Sequence, residues 1–372
     1  MAHWKQILTR TVAGAEERFD RLKYRLRDAL GGPGPITIVP YRGYGNRRHL
    51  HLRGRVLEDK GDLTSSDNDS IWRNLRNTYR RAESDEVPQA RLRACFDGQA
   101  QEVQADEEGI FDVHIETRAP LPEDRMWFSI ELELLSPRSR RQPGAVRATG
   151  DVLVPPPGAR FMVVSDIDDT VIDMGMGHPL RFARTIFLGN ARSRVVFPGV
   201  AAFYRALHHG ADGQSRNPLF YVSSAPWNLY DLLVEFFRMR DIPAGPVLFL
   251  RDWGITRDQI LPTRHREHKL STIRRMLAFY PDLPLLLIGD SGQEDAEIYG
   301  EIVAEHPGRV MAVYIRNVSR DEDRLAAVRA VAARAIEAGS PMILAGNTTV
   351  MAEHAAEQGW ISPDSLAEIR GE

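Results

Sequence analysis

The segment Phe161-Met162-Val163-Val164-Ser165-Asp166-Ile167-Asp168-Asp169-Thr170 joins an apolar run to an acidic cluster. The apolar run predicts a buried parallel strand, and the acidic residues follow where that strand ends. Three carboxylates within four positions repel one another unless a cation or a proton lies between them. A divalent metal ion would relieve this repulsion and leave Asp166 available as a nucleophile, which indicates phosphoryl chemistry. The alternative is an Asp-rich turn that caps a strand or a helix.

Strands alternate with helices on the C-terminal side of this segment. Six apolar runs predict strands, at residues 161–164, 219–222, 247–250, 285–288, 310–315 and 342–344. Amphipathic stretches at 229–240 and 269–279 predict helices between some of them. This alternation predicts an α/β fold with a doubly wound, Rossmann-like parallel sheet over residues 158–372. The linker Pro155-Pro156-Pro157-Gly158 separates it from the preceding region.

Residues 33–157 have the pattern of a β-rich domain, with short strand-like runs separated by turn residues. Short runs that often alternate apolar and polar residues predict strands at 36–39, 51–57, 90–96, 110–115 and 127–135. Glu107-Glu108-Gly109 predicts a turn, and residues 69–81 predict a short helix. A small antiparallel β-sandwich is the simplest packing for such strands.

Residues 1–31 predict one amphipathic helix, which ends at Gly31-Gly32-Pro33-Gly34. A basic amphipathic helix can lie on an anionic bilayer. Acidic residues dilute the basic face here, which favours packing on the following domain instead.

The composition is that of a soluble globular protein with room for two domains. The chain has 372 residues, of which 43% are hydrophobic and 27% charged. A net charge of −3 gives no basic field for nucleic acid. The single cysteine, Cys95, excludes an internal disulfide framework and fits a reducing compartment. No apolar run approaches a membrane span, and no signal-peptide core is present, so we expect a cytoplasmic location.

Three further segments place reactive side chains near the ends of predicted strands or on a helix. Ser223 and Ser224 follow the strand at 219–222, and Asp290 follows the strand at 285–288. Ligands collect beyond the carboxyl ends of parallel strands, so these groups are expected close to Asp166. Lys269 is predicted on the first helical turn, where its ammonium would reach inward to a bound phosphate and to Asp166. A helix cap for the serines and a solvated surface lysine are the alternatives.

Along the chain, the motifs are D-x-D-x-T, a strand-end Ser, a Lys and G-D-x-x-x-x-D. This order resembles that of the haloacid dehalogenase-like phosphohydrolases. Longer segments resemble the App1-type phosphatidate phosphatase catalytic domain. They are residues 164–172, 197–200, 221–229 and 289–299, with upstream similarity at 40–45 and 52–57. One departure is Ser224-Ala225-Pro226, where close App1 relatives are expected to have Asn-Ser-Pro.

The resemblance implies a role for each matching residue. It implies a nucleophile at Asp166, a general acid/base at Asp168 and a loop-steadying Thr170. Phosphate-holding groups are implied at Ser223, with Ser224 as the alternative, and at Lys269. It also implies Mg²⁺, held by Asp166, the backbone carbonyl of Asp168, Asp290 and Asp295; Glu294 lies at an alternative spacing for the last of these.

Substrate selection is expected in residues 173–197, where apolar residues are mixed with arginines. Arg181 and Arg184 could bind the anionic head of a lipid phosphate, while apolar residues accept its acyl chains. Trp227 could bind substrate at the mouth of the same site. The alternatives are a helical hairpin with solvated arginines, and a Trp227 that fills the core.

The resemblance implies a Mg²⁺-dependent phosphomonoester hydrolase that forms an aspartyl-phosphate and resembles phosphatidate phosphatase. Its partner would be a phosphorylated substrate such as phosphatidate, met by peripheral contact with a membrane surface. One alternative is a phosphatase for a soluble phosphomonoester or a phosphoprotein. Another is a catalytically retired scaffold or membrane-binding module.

Overall fold

The computed structural model describes residues 34–58, 86–172, 196–251 and 262–372. The predicted helices at 1–31 and 69–81 lie outside these residues, as do Arg181 and Arg184. The described part is α/β and contains two sheets, one mixed and one parallel. No helix in these four ranges is long and apolar enough to span a bilayer.

The N-terminal part of the described chain forms an eight-stranded sheet. Its strands are β1 (Ile36–Pro40), β2 (Gly43–Gly45), β3 (His49–Glu58), β4 (Arg91–Phe96), β5 (Gln99–Gln104), β6 (Ile110–Glu116), β7 (Trp127–Ser136) and β8 (Arg147–Leu153). The order is β1-β3-β2-β8-β7-β4-β5, with β6 paired to β3. These strands enclose a hydrophobic core of their own. All five predicted strands and the turn at Gly109, whose φ is 72°, are confirmed.

The prediction of a wholly antiparallel packing is wrong for one pair, because β2 runs parallel to β8. Hydrogen bonds also join all eight strands into one continuous sheet. The short strand β2 fits between β3 and β8 because it begins and ends with glycine. A Cβ at Gly43 would collide with the His51 carbonyl, and one at Gly45 with the His49 carbonyl.

The C-terminal part forms a six-stranded sheet in which every pairing is parallel. Its strands are β9 (Met162–Asp166), β10 (Leu219–Pro226), β11 (Val247–Arg251), β12 (Leu285–Asp290), β13 (Val310–Arg316) and β14 (Met342–Ala345). All six were predicted. The spatial order is β11-β10-β9-β12-β13-β14. The strand order therefore reverses between β9 and β12, which is where ligands bind in open α/β sheets.

Helices cover both faces of the parallel sheet. They are α1 (Val200–His209), α2 (Tyr230–Met239), α3 (Pro262–Phe279), α4 (Asp295–Glu305), α5 (Glu322–Glu337), α6 (Thr348–Glu357) and α7 (Ser365–Gly371). Side chains of α1, α2, α6 and α7 share one core with the sheet, and those of α3, α4 and α5 share another. Successive strand residues alternate between the two cores, as Val163 and Val164 do.

The placement of Lys269 on a first helical turn is wrong. The helix α3 begins at Pro262, so Lys269 lies two turns further in. The polar run before Lys269 has no apolar period that would have marked it as helical, although proline suits a first helical position. The position of Lys269 must therefore be explained by its contacts and not by the helix dipole.

Candidate active site

The acidic residues predicted from sequence meet at the reversal point of the parallel sheet. Asp166 is the last residue of β9, and Asp290 is the last residue of the neighbouring strand β12. Pairing of Ile288 with Ser165 aligns the two strand ends. Asp295, the first residue of α4, completes a cluster in which one oxygen of each carboxylate lies within 4.8 Å of the others. The sequence thus predicted the convergence of three groups correctly.

The loop after β12 fixes Asp290 and leaves one of its oxygens open. The Gly292 and Gln293 backbone N–H groups donate to Asp290 Oδ1 at 2.6 and 3.0 Å. Asp290 Oδ2 is buried and has no hydrogen-bond partner among the described residues. An unsatisfied buried carboxylate oxygen is costly, so it indicates a ligand position.

Lys269 lies between two of the acids and is itself only 2% exposed. Its Nζ is 2.7 Å from Asp166 Oδ1 and 2.5 Å from Asp295 Oδ1. The other Asp295 oxygen accepts the Asp290 backbone N–H at 3.2 Å. Both Asp295 oxygens are therefore engaged, and Asp295 anchors the lysine. Its role as a metal ligand stays a prediction.

The charges of the cluster are only partly balanced. Burial raises the pKa of the Asp166 carboxyl well above its usual range, and Lys269 acts in the opposite direction. Burial and the neighbouring Asp295 raise the pKa of Asp290 to about 7. Burial disfavours a charged Lys269, but Asp166 and Asp295 outweigh this and raise the pKa of the lysine. The site therefore favours a protonated lysine, and it disfavours ionisation of both Asp166 and Asp290 without a further positive charge.

This donor set fits a hard divalent cation. The available oxygens belong to buried carboxylates, the open Asp290 Oδ2 points to a missing partner, and mutual repulsion favours an added positive charge. Asp166 and Asp290 are the residues best placed to hold such an ion. These properties suit Mg²⁺ as well as related oxygen-seeking metals.

Asp168, Thr170 and Ser223 lie around Asp166. Thr170 is buried, and its Oγ1 is 3.4 Å from Asp166 Oδ2. Ser223 Oγ, also buried, is 3.5 Å from Asp168 Oδ2. The chain turns sharply at Asp169, whose φ of 56° is left-handed. The loop thus directs Asp166 and Asp168 to a common region with Ser223. The side chain of Ser224 is outside the described structure.

Trp227, predicted to bind substrate, is 5% exposed and belongs to the core of the parallel sheet. Its ring stacks on Tyr41 of the mixed sheet, with centroids 4.5 Å apart and planes 19° from parallel. Most of its surface is therefore used in packing, as the core-filling alternative expected. A role for its remaining edge in substrate binding stays a prediction.

Sequence reasoning missed two arginines that hold the site loops. Buried Arg316, at the end of β13, donates from Nε to the Thr170 carbonyl at 3.0 Å and lies over the Phe197 ring. Arg324 donates from Nε to the Ser291 carbonyl at 2.8 Å. The signal for Arg316 was available, since it directly follows the apolar run 310–315 at the same sheet edge. Arg324 had no comparable signal.

A comparison with known protein families finds a match over the region that contains the candidate site. Residues 161–317 match the family model for the catalytic domain of phosphatidate phosphatase APP1. Over these residues the chain is similar to an App1-type catalytic domain. The match includes the strand ends that bear Asp166, Ser223 and Asp290, together with Lys269 and Asp295. The family resemblance predicted from sequence is confirmed.

The curated proteins that are similar to this chain are much longer. Phosphatidate phosphatase APP1 of Saccharomyces cerevisiae is 32% identical over 155 residues, which are 41% of this chain and 25% of that protein. An uncharacterised protein of Schizosaccharomyces pombe is 30% identical over 163 residues, 43% of this chain and 25% of its own length. This chain spans about a quarter of the length of these relatives.

The similarity to solved structures is too low to support a conclusion about this chain. A carbohydrate acetylesterase from Xanthomonas citri aligns over 81% of this chain and 66% of its own, with 12% identity and a TM-score of 0.29. At that score the alignment supports neither a shared fold nor a shared activity.

Proposed function

We propose that this protein is a haloacid dehalogenase-like phosphomonoester hydrolase that requires Mg²⁺ and acts on a lipid phosphate such as phosphatidate. The observation that carries the proposal is the convergence of Asp166, Asp290 and Lys269 at the reversal point of the parallel sheet. The similarity to the APP1 catalytic domain supports the same activity.

The chemistry follows from the positions of the side chains. Asp166 would attack phosphorus and form an aspartyl-phosphate, while Asp168 protonates the departing alkoxide. Asp168 would then accept a proton from the water that hydrolyses the acyl phosphate. Lys269 would offset the charge of the phosphoryl oxygens, and Ser223 would donate a hydrogen bond to one of them.

Asp166 and Asp290 would hold Mg²⁺, with Asp295 and the Asp168 carbonyl as further predicted ligands. When bound, the ion would draw negative charge from the phosphoryl group. Lys269 already occupies one oxygen of Asp166. The second oxygen, 3.4 Å from Thr170 Oγ1, is the better candidate for attack, because the threonine contact limits its rotation.

Several expectations from the sequence remain part of this proposal. Arg181 and Arg184 are proposed to receive the headgroup of the lipid. A cytoplasmic protein that touches the membrane peripherally would meet such a substrate. The predicted division into residues 33–157 and 158–372 makes the second region the catalytic unit.

A substrate panel tests the proposal. Phosphate release should be measured from phosphatidate in mixed micelles, sugar phosphates, nucleotides and a phosphopeptide, each with Mg²⁺ and with EDTA. We expect Mg²⁺-dependent release that is fastest from phosphatidate. Faster release from a soluble ester would mean that the substrate is a soluble phosphomonoester or a phosphoprotein and not a lipid. No release from any ester would support a retired scaffold and reject the proposed hydrolase.

A further inference from the structure

A cleft lies between the mixed sheet and the edge of the parallel sheet, apart from the acidic cluster. Its volume is about 140 Å³, well above the ~10–15 Å³ that one water needs. We call it the inter-sheet cleft and define it by Arg42, Tyr44, Arg53, Trp227, His268 and Arg275. None of these residues is part of the hydrolytic machinery proposed above, apart from the predicted contact of Trp227 with substrate.

The cleft carries more cations than anions. Among its lining residues Asp112 is the one acid, and it pairs with Arg53 through two hydrogen bonds of 2.9 Å. No carboxylate of the described residues lies within ion-pair distance of Arg42 or Arg275. Two guanidinium groups are thus left to attract an anion, and guanidinium geometry suits phosphate.

Two histidines, His51 and His268, line the same cleft. Burial lowers the pKa of His268 to about 4, with further contributions from the charges of Arg275, Arg53 and Lys269. Burial and His114 lower the pKa of His51 to about 4, with a contribution from Arg275. Both imidazoles are therefore neutral at pH 7 and can each donate one hydrogen bond without a competing positive charge of their own.

The walls of the cleft are aromatic and apolar. Trp227 stacks on Tyr41, and the Arg53 guanidinium lies over the Trp227 ring, 5.6 Å from its centroid. Leu248 of β11 also lines the cleft. Cationic groups over apolar walls suit an anion attached to an apolar body better than a fully hydrated free ion.

We propose that the inter-sheet cleft binds the phosphate group of an anionic lipid headgroup, separate from the phosphate that Asp166 would attack. The cleft touches two elements of the catalytic region. Trp227 lies four residues beyond Ser223, and His268 directly precedes Lys269. A headgroup bound there would hold the catalytic edge of the sheet at an anionic surface. The placement of a catalytic edge at the membrane rests on the proposed function. Binding of the headgroup to the cleft does not, since it requires no hydrolysis.

The test uses full-length protein and vesicles of phosphatidylcholine with or without phosphatidylglycerol, a phosphodiester lipid that offers no phosphomonoester. The variant Arg42→Gln/Arg275→Gln removes both guanidiniums but keeps the backbone N–H of residue 42, which donates to Tyr230 Oη at 2.6 Å. The control, Arg329→Gln/Arg334→Gln, removes the same charge from exposed positions on α5.

We expect sedimentation with phosphatidylglycerol vesicles to weaken about fivefold for each cleft arginine removed, and the control to bind like wild type. Equal loss in both variants, or no loss in the cleft variant, would overturn the proposal. Calorimetry with inorganic phosphate separates the two phosphate sources: tight binding of free phosphate without vesicle binding would reject the lipid headgroup.

Turnover of p-nitrophenyl phosphate keeps this proposal distinct from the proposed function. The cleft variant should hydrolyse this soluble ester as fast as wild type. A parallel loss of soluble turnover would place the arginines in the active site and overturn a separate lipid site. If wild type itself fails to hydrolyse any ester, the proposed hydrolase falls, while the vesicle experiment still decides the binding site.

Discussion

At the scale of single residues, Lys269 sets the charge balance of the active site. A buried lysine between Asp166 and Asp295 offsets part of the repulsion among the acids. Asp290 Oδ2 remains without a partner among the described residues. The lysine therefore positions Asp166, while the unpaired Asp290 oxygen favours binding of a metal ion.

Replacing Asp166, the proposed nucleophile, provides the first prediction. Asp166→Asn keeps the size of the side chain but removes the nucleophilic oxygen, so turnover should fall by several orders of magnitude. Phosphate release and circular dichroism, measured on the same preparation, check the result. Wild-type turnover in a folded Asp166→Asn protein would show that another residue attacks phosphorus.

The raised pKa of Asp290 leads to a prediction of how metal binding depends on pH. Its pKa of about 7 in the metal-free protein means that a proton competes with Mg²⁺ below neutrality. Apparent Mg²⁺ affinity should fall by up to about tenfold per pH unit below pH 7. Without metal, the raised pKa favours the folded state at low pH, and this contribution is lost as pH rises through 7.

Thermal unfolding with and without Mg²⁺, at pH 6 and pH 8, measures this linkage. The rise in Tm on adding Mg²⁺ should be larger at pH 8. Asp290→Asn should show little rise at either pH. An equal rise at both pH values would mean that Asp290 is not the titrating ligand.

At the scale of elements, strand ends carry the chemistry, and a neighbouring strand braces them. Arg316 ends β13 and donates to the Thr170 carbonyl, while its Nη2 donates to Thr348 Oγ1 at 3.1 Å. It thereby connects the acidic loop after β9 to α6. Removing it should loosen the loop that holds Asp166.

Arg316→Met should cost about 1.5–3 kcal/mol of the free energy of unfolding and also lower kcat. A matched control is Arg309→Met, because Arg309 precedes the same strand and donates to the Tyr280 and Leu283 carbonyls at its other end. Urea unfolding and phosphate release should show that both variants lose stability but only Arg316→Met loses turnover. Equal turnover in the two variants would refute the bracing role.

The elements missed from sequence were those with weak patterns. The strand β5, Gln99–Gln104, is mostly polar and its burial alternates between intermediate and exposed. The short strand β2 depends on glycines and on its neighbours, and only tertiary contacts could identify it. The buried strands of the parallel sheet were predictable because their apolar runs are nearly continuous.

The sequence located the acidic cluster because Asp166 and Asp290 directly end such strands. It also predicted that Lys269 reaches Asp166, which the structure confirms. It could not identify Asp295 as the second partner of Lys269, since that contact from the third turn of a helix depends on packing. The stack of Tyr41 on Trp227 was equally hidden, because it joins residues 186 positions apart (227 − 41).

At the scale of the whole molecule, aromatic contacts fasten the two sheets together. Tyr41 contacts both Trp227 and Tyr230, with ring centroids 4.5 Å away in each case. Directly after α3, Tyr280 Oη donates to the Gly45 carbonyl at 3.0 Å. The mixed sheet therefore supports the segment that follows Ser223.

Tyr41→Ala should cost about 3–5 kcal/mol of the free energy of unfolding, because it removes a buried ring from these stacks. Turnover should fall as well, since the segment from Ser223 to Trp227 loses its support. Tyr41→Phe is the matched control and should behave like wild type. Urea unfolding and kcat check both variants; undiminished kcat in folded Tyr41→Ala would disprove the support.

The account as a whole depends on one divalent ion between the ends of β9 and β12. Diffraction from crystals grown with Mn²⁺, an oxygen-seeking substitute for Mg²⁺ with anomalous scattering, locates such an ion directly. We predict one strong anomalous peak at coordination distance from Asp166 and from Asp290 Oδ2. No peak there, or a peak elsewhere while Asp290 Oδ2 stays unliganded, would contradict the account.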